Sequence, residues 1–164
     1  QIYLNSSETN RREIRNSLSK NFEFKEIFSK DIFFKLKETS YKIHNKKIDN
    51  NFYKKIFLSI EKLYNKKMVK MFVGYYKGEP ISMNLFSVIN NKSMFLHSGR
   101  SEKLDNKNLC GVFVFSKSII ELSKLGIKIL DFEGVNSPKN SFSKLKFGGT
   151  LTPYYSLKLN KYKK

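Results

Sequence analysis

The spacing of apolar residues divides the chain into helical and extended segments, and the first two are short. Ser6 or Ser7 is the expected N-cap of an opening helix, because a hydroxyl at that position accepts a backbone N–H of the first turn. Ile14 and Leu18 lie one helical turn apart on the same face of this helix. Alternating apolar residues then predict a strand over Phe22–Ile27.

Two amphipathic helices are predicted next, separated by a polar linker. The first runs from Ile32 to Asn45 with Asp31 as its expected N-cap, and the second from Asn51 to Asn65. Helical spacing predicts an inward face for each: Phe33, Leu36 and Tyr41 on the first, and Phe52, Ile56, Ile60 and Leu63 on the second.

The hydrophobic period then changes from helical to alternating. It predicts three consecutive strands, at Met68–Tyr76, Ile81–Val88 and Ser93–Ser98. Short turns join them at Lys77–Pro80 and Asn90–Lys92, where glycine, proline and asparagine favour chain reversal. The three strands are therefore expected to form an antiparallel meander.

The last third of the chain returns to a helix followed by a strand. After a polar loop over Gly99–Asn108, the apolar segment Leu109–Leu125 is predicted to be a helix that ends at Gly126. A buried strand is expected at Ile127–Phe132, and another strand from Leu151 onward. The inward residues predicted for the helix are Val112, Phe115, Ile119 and Leu122.

Length and composition favour one folded domain over residues 1–164. Hydrophobic residues make up 40% of the 164, enough for a core, and no apolar run approaches the roughly 18 residues of a membrane span. The first residues lack the basic start and apolar stretch of a signal peptide, and they lack an initiator methionine, as a fragment would. A single cysteine, Cys110, suits a reducing compartment, so a cytoplasmic protein is expected, with or without attachment to a membrane surface.

The formal net charge of +18 leaves two explanations open. A charge of this size suits an anionic partner such as RNA, a nucleotide-linked substrate or an anionic membrane surface. Compositional bias is the other explanation, because most of the positive charge is lysine accompanied by abundant asparagine, isoleucine and phenylalanine. Two histidines and one cysteine show no metal-ligand spacing.

The stretch Lys128–Tyr155 carries most of the candidate chemistry. Asp131 and Glu133 close a predicted strand, where alternation would place both carboxylates on one face. A lysine-containing segment follows, FSKLKFGG, which includes Lys144 and two consecutive glycines. The carboxylates are candidates for accepting a proton or binding an ammonium group, or for balancing nearby lysines.

This stretch resembles the C-terminal part of the Fem-type peptidoglycan-bridge aminoacyltransferases and of related N-acyltransferases of the GNAT superfamily. The shared order is DFxG, a loop, a lysine-containing FGG motif and a strand near Pro-Tyr-Tyr. The RRxIR helix at Arg11–Arg15, followed by Asn21–Ile27, resembles the start of the second domain of Fem-like proteins. The resemblance implies an α+β GNAT fold, with a central, mostly antiparallel mixed sheet whose fourth and fifth strands splay apart and helices on its faces.

In that fold the acyl donor lies in the splay, and the N-terminus of the next helix faces its phosphates. Here that helix begins near Asn106–Gly111. Members that use acyl-CoA usually carry a glycine-rich loop at this point, whereas Fem-like members, whose donor is aminoacyl-tRNA, do not. This chain has Gly111 alone, and both donors are kept as expectations.

The resemblance, with the local chemistry, gives a set of candidate site residues. Lys144 corresponds to the family lysine held to stabilise charge near the transferred carbonyl, although Ser143 stands where the family has phenylalanine. Asp131 and Glu133 complete the catalytic candidates. The remaining candidates are His97, Arg100, Asn108, Gly111, Phe142 and Phe147 for the donor, and Arg11, Arg15 and Tyr154 for the acceptor substrate.

The expected function is therefore N-acyl transfer to an amine of a cell-envelope precursor or a nucleotide sugar. No tightly bound cofactor is expected, since the donor is a co-substrate. Fem-like proteins have two such domains and the match is to the second, so a preceding domain or a homodimer is expected to complete the site. The alternative is a degenerate GNAT domain that binds RNA or an anionic surface without catalysis.

Overall fold

The computed structural model describes residues 5–45, 47, 49–102, 109–134, 142 and 144–153. The elements alternate between helices and strands much as the hydrophobic pattern indicates. In chain order they are α1 (Glu8–Leu18), β1 (Phe22–Glu26), α2 (Lys30–Ile43), α3 (Asn50–Asn65), β2 (Val69–Tyr76), β3 (Glu79–Ser87), β4 (Lys92–Arg100), α4 (Leu109–Lys124) and β5 (Ile129–Asp131).

The strands form one sheet in the order β1-β2-β3-β4-β5. The first three pairings are antiparallel and the last, between β4 and β5, is parallel, because α4 crosses from one strand to the next. The predicted meander and the α+β class with a mixed sheet are confirmed. Residues 151–153 form no strand, and the rest of the strand predicted from Leu151 lies outside the described residues.

Helices cover both faces of the sheet and divide the core in two. On one face, α2 and α3 pack against the sheet; on the other lies α4, with α1 packed against it. The α2/α3 core contains Phe33, Leu36, Tyr53, Phe57, Ile60, Val69, Met71, Val73, Met83 and Leu85. The α4 core contains Phe72, Ile81, Phe86, Cys110, Phe113, Val114 and Leu122.

The helix starts follow local capping chemistry. Ser7 caps α1 by accepting a hydrogen bond from the Asn10 N–H, as predicted. The prediction for α2 is wrong: Ser29 accepts from the Ile32 N–H, and Asp31 lies inside the first turn. Asp31 still favours the helix there, since its carboxylate faces the positive end of the helix dipole.

The buried faces of α3 and α4 agree only in part with those predicted: Ile60, Ile119 and Leu122 are buried as expected, whereas other positions differ. On α3 the buried residues are Tyr53, Phe57 and Ile60, while Phe52 is 55% exposed. The helix carries apolar residues on two adjoining stripes, so spacing alone could not select one. Phe57 decides the orientation, because its ring packs 5.3 Å from those of both Phe28 and Phe33.

On α4, Val112 and Phe115 are only partly buried, contrary to the prediction. Phe113 and Val114 fill the core instead. The cause is a close approach to β2 at Gly74, where an added Cβ would lie 2.3 Å from Val114 Cγ2. A glycine on β2 therefore sets which side of α4 meets the sheet.

Strand β4 is longer than predicted. Gly99 and Arg100, expected in a loop, pair with Met83 and Ser82 of β3. Gly99 is buried under α2, where a Cβ would lie 2.9 Å from the carbonyl carbon of Leu36. The glycine thus permits close packing of a helix on a strand, although the polar residues around it are typical of a loop.

Candidate active site

The parallel strands β4 and β5 pair over a short distance and then separate. Their register runs from Lys92 opposite Ile129 to Met94 opposite Asp131. Beyond this point β4 continues to Arg100, whereas β5 has ended. Within the described residues, β4 after Met94 therefore has no neighbouring strand on the β5 side. This separation corresponds to the splay expected between the fourth and fifth strands.

A β-bulge lies at the point where the strands separate. Leu85 of β3 pairs with His97, but the next residue, Phe86, pairs with Phe95, so Leu96 is left without a partner on β3. Bulges re-aim side chains and end regular pairing, and they are common beside active sites. The regular alternation assumed from the sequence gave no sign of it.

The bulge changes which face of the sheet the β4 side chains occupy. Phe95 lies on the α4 face, 5.2 Å from the rings of both Phe86 and Phe115. Leu96 packs against the core on the α2/α3 face, and His97 contacts Phe33 on that same face. Regular alternation would have placed Phe95 and His97 together.

At the end of β5, the three predicted catalytic residues lie close together. The Lys144 ammonium donates a hydrogen bond to the Gly134 carbonyl at 2.8 Å. The backbone N–H of Glu133 donates to Asp131 Oδ1 at 2.7 Å. A cation and two carboxylates therefore share one edge of the opening.

The two carboxylates do not alternate on a strand, as the sequence pattern suggested. β5 ends at Asp131, and Glu133 has a φ of 59°, in the left-handed region. The hydrogen bond from its N–H to Asp131 stabilises this turn, much as an Asx turn does. A turn conformation therefore sets the direction of Glu133 where the prediction assumed an extended one.

The charges in this group influence one another. Partial burial raises the pKa of Glu133, the Lys144 ammonium opposes that shift, and the Asp131 carboxylate adds to it. A carboxyl group with a raised pKa is a better proton acceptor than an ordinary surface glutamate. The group therefore combines a cation suited to a developing oxyanion with a base suited to a departing proton.

The segment that carries Lys144 is held against both α1 and α4. Phe147 packs 4.6 Å from the ring of Phe115 on α4. Phe142 is 67% exposed, with the Lys146 ammonium 5.3 Å from its ring centre. Of the two predicted aromatic residues, Phe147 is a packing residue and Phe142 is the one open to a ligand.

His97 lies on the other face of the sheet from this segment. Its ring is 5.8 Å from Phe33 and 6.3 Å from Tyr53. Burial lowers the pKa of His97 to about 4, with a further contribution from the Lys37 ammonium. The imidazole is therefore neutral at physiological pH and a weak base. His97 is unsuited to act as a general base on this face of the sheet.

The other described candidates lie on three different elements. Arg100 ends β4, and its backbone N–H donates to Ser40 Oγ on α2 at 2.8 Å. Gly111 lies in the first turn of α4. Arg11 donates to the Ser6 carbonyl at 2.7 Å, and Arg15 lies in the last turn of α1. Asn108, Ser143 and Tyr154 lie outside the described residues.

Sequence reasoning missed a second polar group, made of Lys37, Tyr41 and Tyr53. Lys37 is 9% exposed, and its ammonium lies 5.5 Å from the centre of the Tyr53 ring. The hydroxyls of Tyr41 and Tyr53 form a hydrogen bond. Helical spacing could have indicated this burial, because Lys37 lies one turn from both Phe33 and Tyr41 on the inward face predicted for α2.

Cys110 is unsuited to nucleophilic catalysis. Its side chain is fully buried in the α4 core, and burial raises the pKa of the thiol to about 12. The described part of the chain contains no group of three or more histidine, cysteine, aspartate or glutamate residues placed to hold a metal. None of the described helices is long and apolar enough to span a membrane.

Solved structures identify the fold. No family model and no curated protein matches the sequence. FemX is similar over 90% of this chain, with a TM-score of 0.72 and 11% identity, and this chain spans 55% of its length. A predicted acetyltransferase from Clostridium acetobutylicum, solved with acetyl-CoA, has a TM-score of 0.65 and 11% identity over 85% of this chain and 96% of its own.

The PaiA N-acetyltransferase from Thermoplasma acidophilum, solved in complex with coenzyme A, extends the comparison to a third protein. It has a TM-score of 0.56 and 14% identity over 76% of this chain and 87% of its own. At such identities the similarity concerns architecture. The sheet order, the parallel β4–β5 pair and the separation after Met94 together show that the chain has the fold of the Fem-type and GNAT N-acyltransferases.

Proposed function

We propose that this chain is an N-acyltransferase domain, which transfers an acyl or aminoacyl group from an activated donor to an amine. The observation that carries the proposal is the opening between β4 and β5, with Lys144, Asp131 and Glu133 grouped at its edge. Acyl transfer needs a held carbonyl, a stabilised oxyanion and a proton acceptor. The opening provides a place for the carbonyl, and this group provides the other two.

Each charged side chain of the group has a proposed role in the reaction. The amine nitrogen bonds to the donor carbonyl carbon, and the bond from that carbon to the donor's ester oxygen or thioester sulfur breaks. Lys144 stabilises the negative charge that develops on the carbonyl oxygen. Glu133, assisted by Asp131, accepts the proton from the amine nitrogen, and the donor leaves as an alcohol or thiol after it takes up a proton.

Two donors are consistent with this chemistry. Aminoacyl-tRNA is favoured by the Fem resemblance and by the TM-score of 0.72 to FemX. Acyl-CoA is favoured by neighbours whose crystal structures contain acetyl-CoA or coenzyme A. Both are polyanions, which a net charge of +18 attracts. The proposed acceptor is an amine of a cell-envelope precursor or of a nucleotide sugar.

A second domain or a second copy of the chain is proposed to complete the acceptor site. The chain spans 55% of the FemX chain, so the similarity covers about one of two domain lengths. A homodimer would supply an equivalent surface. Sedimentation of the purified chain, with and without donor, distinguishes a dimer from a monomer that needs a further domain.

The proposal is tested by transfer assays with charged tRNA and with acyl-CoA, each presented with a panel of amines. Lys144→Met is expected to lower the transfer rate by about 10²–10³, the range for loss of one oxyanion-stabilising group. Lys128→Met removes an exposed lysine on the approach to β5 and is the matched control. Absence of transfer from both donors would overturn catalysis by this chain alone, and equal activity of the two variants would overturn the role of Lys144.

A second candidate function is binding of RNA or an anionic surface without catalysis. The net charge favours it, because electrostatic attraction alone supports such binding. In that case Lys144→Met and Lys128→Met would each weaken binding slightly and by the same amount, with a steep dependence on salt. If the chain is an enzyme, the two variants should differ strongly in transfer rate. The same pair of variants therefore distinguishes the two functions.

A further inference from the structure

Lys37 is a buried cation with no anionic partner among the residues that the structure describes. Two other lysines of α2 lie at the surface and pair with carboxylates, Lys35 with Glu79 and Lys42 with Glu38. Lys37 is 9% exposed, and none of the described residues forms a hydrogen bond or ion pair with its ammonium. Burial of an unpaired ammonium group costs several kcal/mol.

The groups around Lys37 are suited to hold an anion. Its ammonium lies over the Tyr53 ring, the hydroxyls of Tyr41 and Tyr53 are hydrogen-bonded to each other, and His97 lies edge-on to Tyr53. A tyrosine hydroxyl and a neutral imidazole N–H both donate hydrogen bonds. The cluster therefore combines a positive charge with neutral donors, and the described residues add no carboxylate to it.

The pKa values of these groups would respond to an anion bound among them. Burial lowers the pKa of Lys37 to about 8, so its ammonium form still predominates at neutral pH. Burial, with the Lys37 charge, lowers the pKa of His97 to about 4. A bound carboxylate or phosphate would stabilise both charged forms and reverse both shifts.

We propose that Lys37, His97 and the hydrogen-bonded Tyr41–Tyr53 pair bind an anionic group, a carboxylate or a phosphate, that is carried by the amine acceptor. Assignment of this anion to the acceptor rests on the proposed function. It follows from the placement of the cluster on the α2/α3 face, whereas α4, whose N-terminus is expected to face the donor, covers the opposite face.

The bulge in β4 connects this cluster with the opening. His97 lies two residues beyond Phe95, yet the bulge brings it to the α2/α3 face beside Tyr53. Met94, the last residue paired with β5, is only three residues before His97. An acceptor whose anion is bound by Lys37 can thus extend its amine along β4 toward the separation of the strands.

The first experiment measures the Lys37 charge directly in the intact chain. The pKa of Lys37 is followed by NMR of ¹³C-labelled lysine, with chloride, acetate or inorganic phosphate as the probe at equal ionic strength. Acetate or phosphate is expected to raise the pKa of Lys37 by about one unit relative to chloride. Lys35 on the same helix serves as the internal reference. An unchanged Lys37 pKa in both probes would overturn the proposal.

The second experiment uses thermal unfolding with matched variants. Acetate or phosphate is expected to raise the Tm of the wild type by about 2–5 °C relative to chloride, as binding to the folded state requires. Lys35→Met, which carries the same change in net charge, should keep this increase, and Lys37→Met should lose it. Equal increases in both variants would identify a general effect of anions on a basic protein and would reject the site.

Comparison of the two probes distinguishes the source of the anion. A larger effect of acetate identifies a carboxylate-bearing acceptor, and a larger effect of phosphate identifies a phosphate-bearing one. Both measurements are independent of transfer activity. Anion binding without any transfer would leave the site intact and reject the proposed function, whereas transfer with an unresponsive Lys37 would reject the site alone.

Discussion

The Lys146 ammonium donates to both carboxylate oxygens of Glu13, each at 2.9 Å, across 133 residues of sequence. Both side chains are substantially buried, with 17% and 31% of their surfaces exposed. The Ser7 N–H also donates to the Lys146 carbonyl at 3.0 Å. The first helix therefore anchors the segment that carries Lys144, two residues away, so the position of the proposed catalytic lysine depends on α1.

Glu13→Gln is expected to lower the free energy of unfolding by about 1–3 kcal/mol, because the change leaves the Lys146 ammonium partly buried without its counter-charge. Urea unfolding measures the difference. Glu121→Gln is the control, since it breaks an exposed pair with Lys124 that should contribute less than about 1 kcal/mol. Equal losses from the two variants would contradict the anchoring role of Glu13.

Gly148→Ala is expected to cost more than the same change at Gly78. Both glycines have a positive φ, +79° and +78°, which costs an alanine roughly 1–2 kcal/mol. A Cβ at Gly148 would in addition lie 2.5 Å from the Asn5 carbonyl oxygen, whereas nothing lies within 4 Å at Gly78. The difference in unfolding free energy between the two variants isolates the contact; no difference would mean that the segment moves away at no cost.

The buried His97 is expected to make the protein less stable in mild acid. Its pKa is lowered by burial from 6.5 to about 4, so between these values the unfolded chain binds a proton that the folded chain does not. The free energy of unfolding should therefore fall as the pH drops from 6.5 toward 4, by up to about 3 kcal/mol. His97→Gln should flatten this dependence, as followed by urea unfolding at each pH.

His44→Gln is the matched control for that experiment, because His44 is the other histidine of the chain and follows the end of α2. The difference in slope between the two variants isolates the contribution of the buried His97. A slope between pH 4 and 6.5 that survives His97→Gln would show that carboxylates, rather than this imidazole, cause the acid instability.

Lys37 is expected to make the stability of the protein depend on pH in the alkaline range. Burial lowers its pKa from 10.5 to about 8, so the unfolded chain binds one more proton over that range. Stability contributed by this group should therefore rise with pH between about 8 and 10.5. Lys37→Met should be more stable than the wild type below pH 8, and the difference should shrink toward pH 10.5. A variant less stable than the wild type at pH 7 would contradict the absence of a counter-charge.

The order of the elements and one of the two polar groups could be predicted from the sequence. The change from helical to alternating spacing located the meander, and Gly126, with a φ of +83°, ends the last helix as expected. The grouping of Asp131, Glu133 and Lys144 followed from a resemblance in a short stretch of the sequence. These features depend on neighbours in the chain, which is why the sequence reveals them.

The second group could not be predicted because long-range packing creates it. Lys37 lies one helical turn from both Phe33 and Tyr41, on the inward face predicted for α2, but only packing against β4 and Tyr53 buries its charged side chain. The Tyr41–Tyr53 hydrogen bond joins α2 to α3, and spacing did not identify Tyr53 as an inward residue of α3. His97 reaches this group through a bulge, and a one-residue insertion in a strand leaves the hydrophobic pattern almost unchanged.

The sequence by itself determined the order of helices and strands, the antiparallel meander and the chemical character of the β5 edge, because hydrophobic period, turn residues and capping act within a few positions. Tertiary structure alone decided which apolar stripe of α3 and α4 is buried, where β4 and β5 separate, and which lysine side chain is buried. Those outcomes depend on close contacts, such as Gly74 with Val114 and Gly99 with Leu36, between residues far apart in the chain.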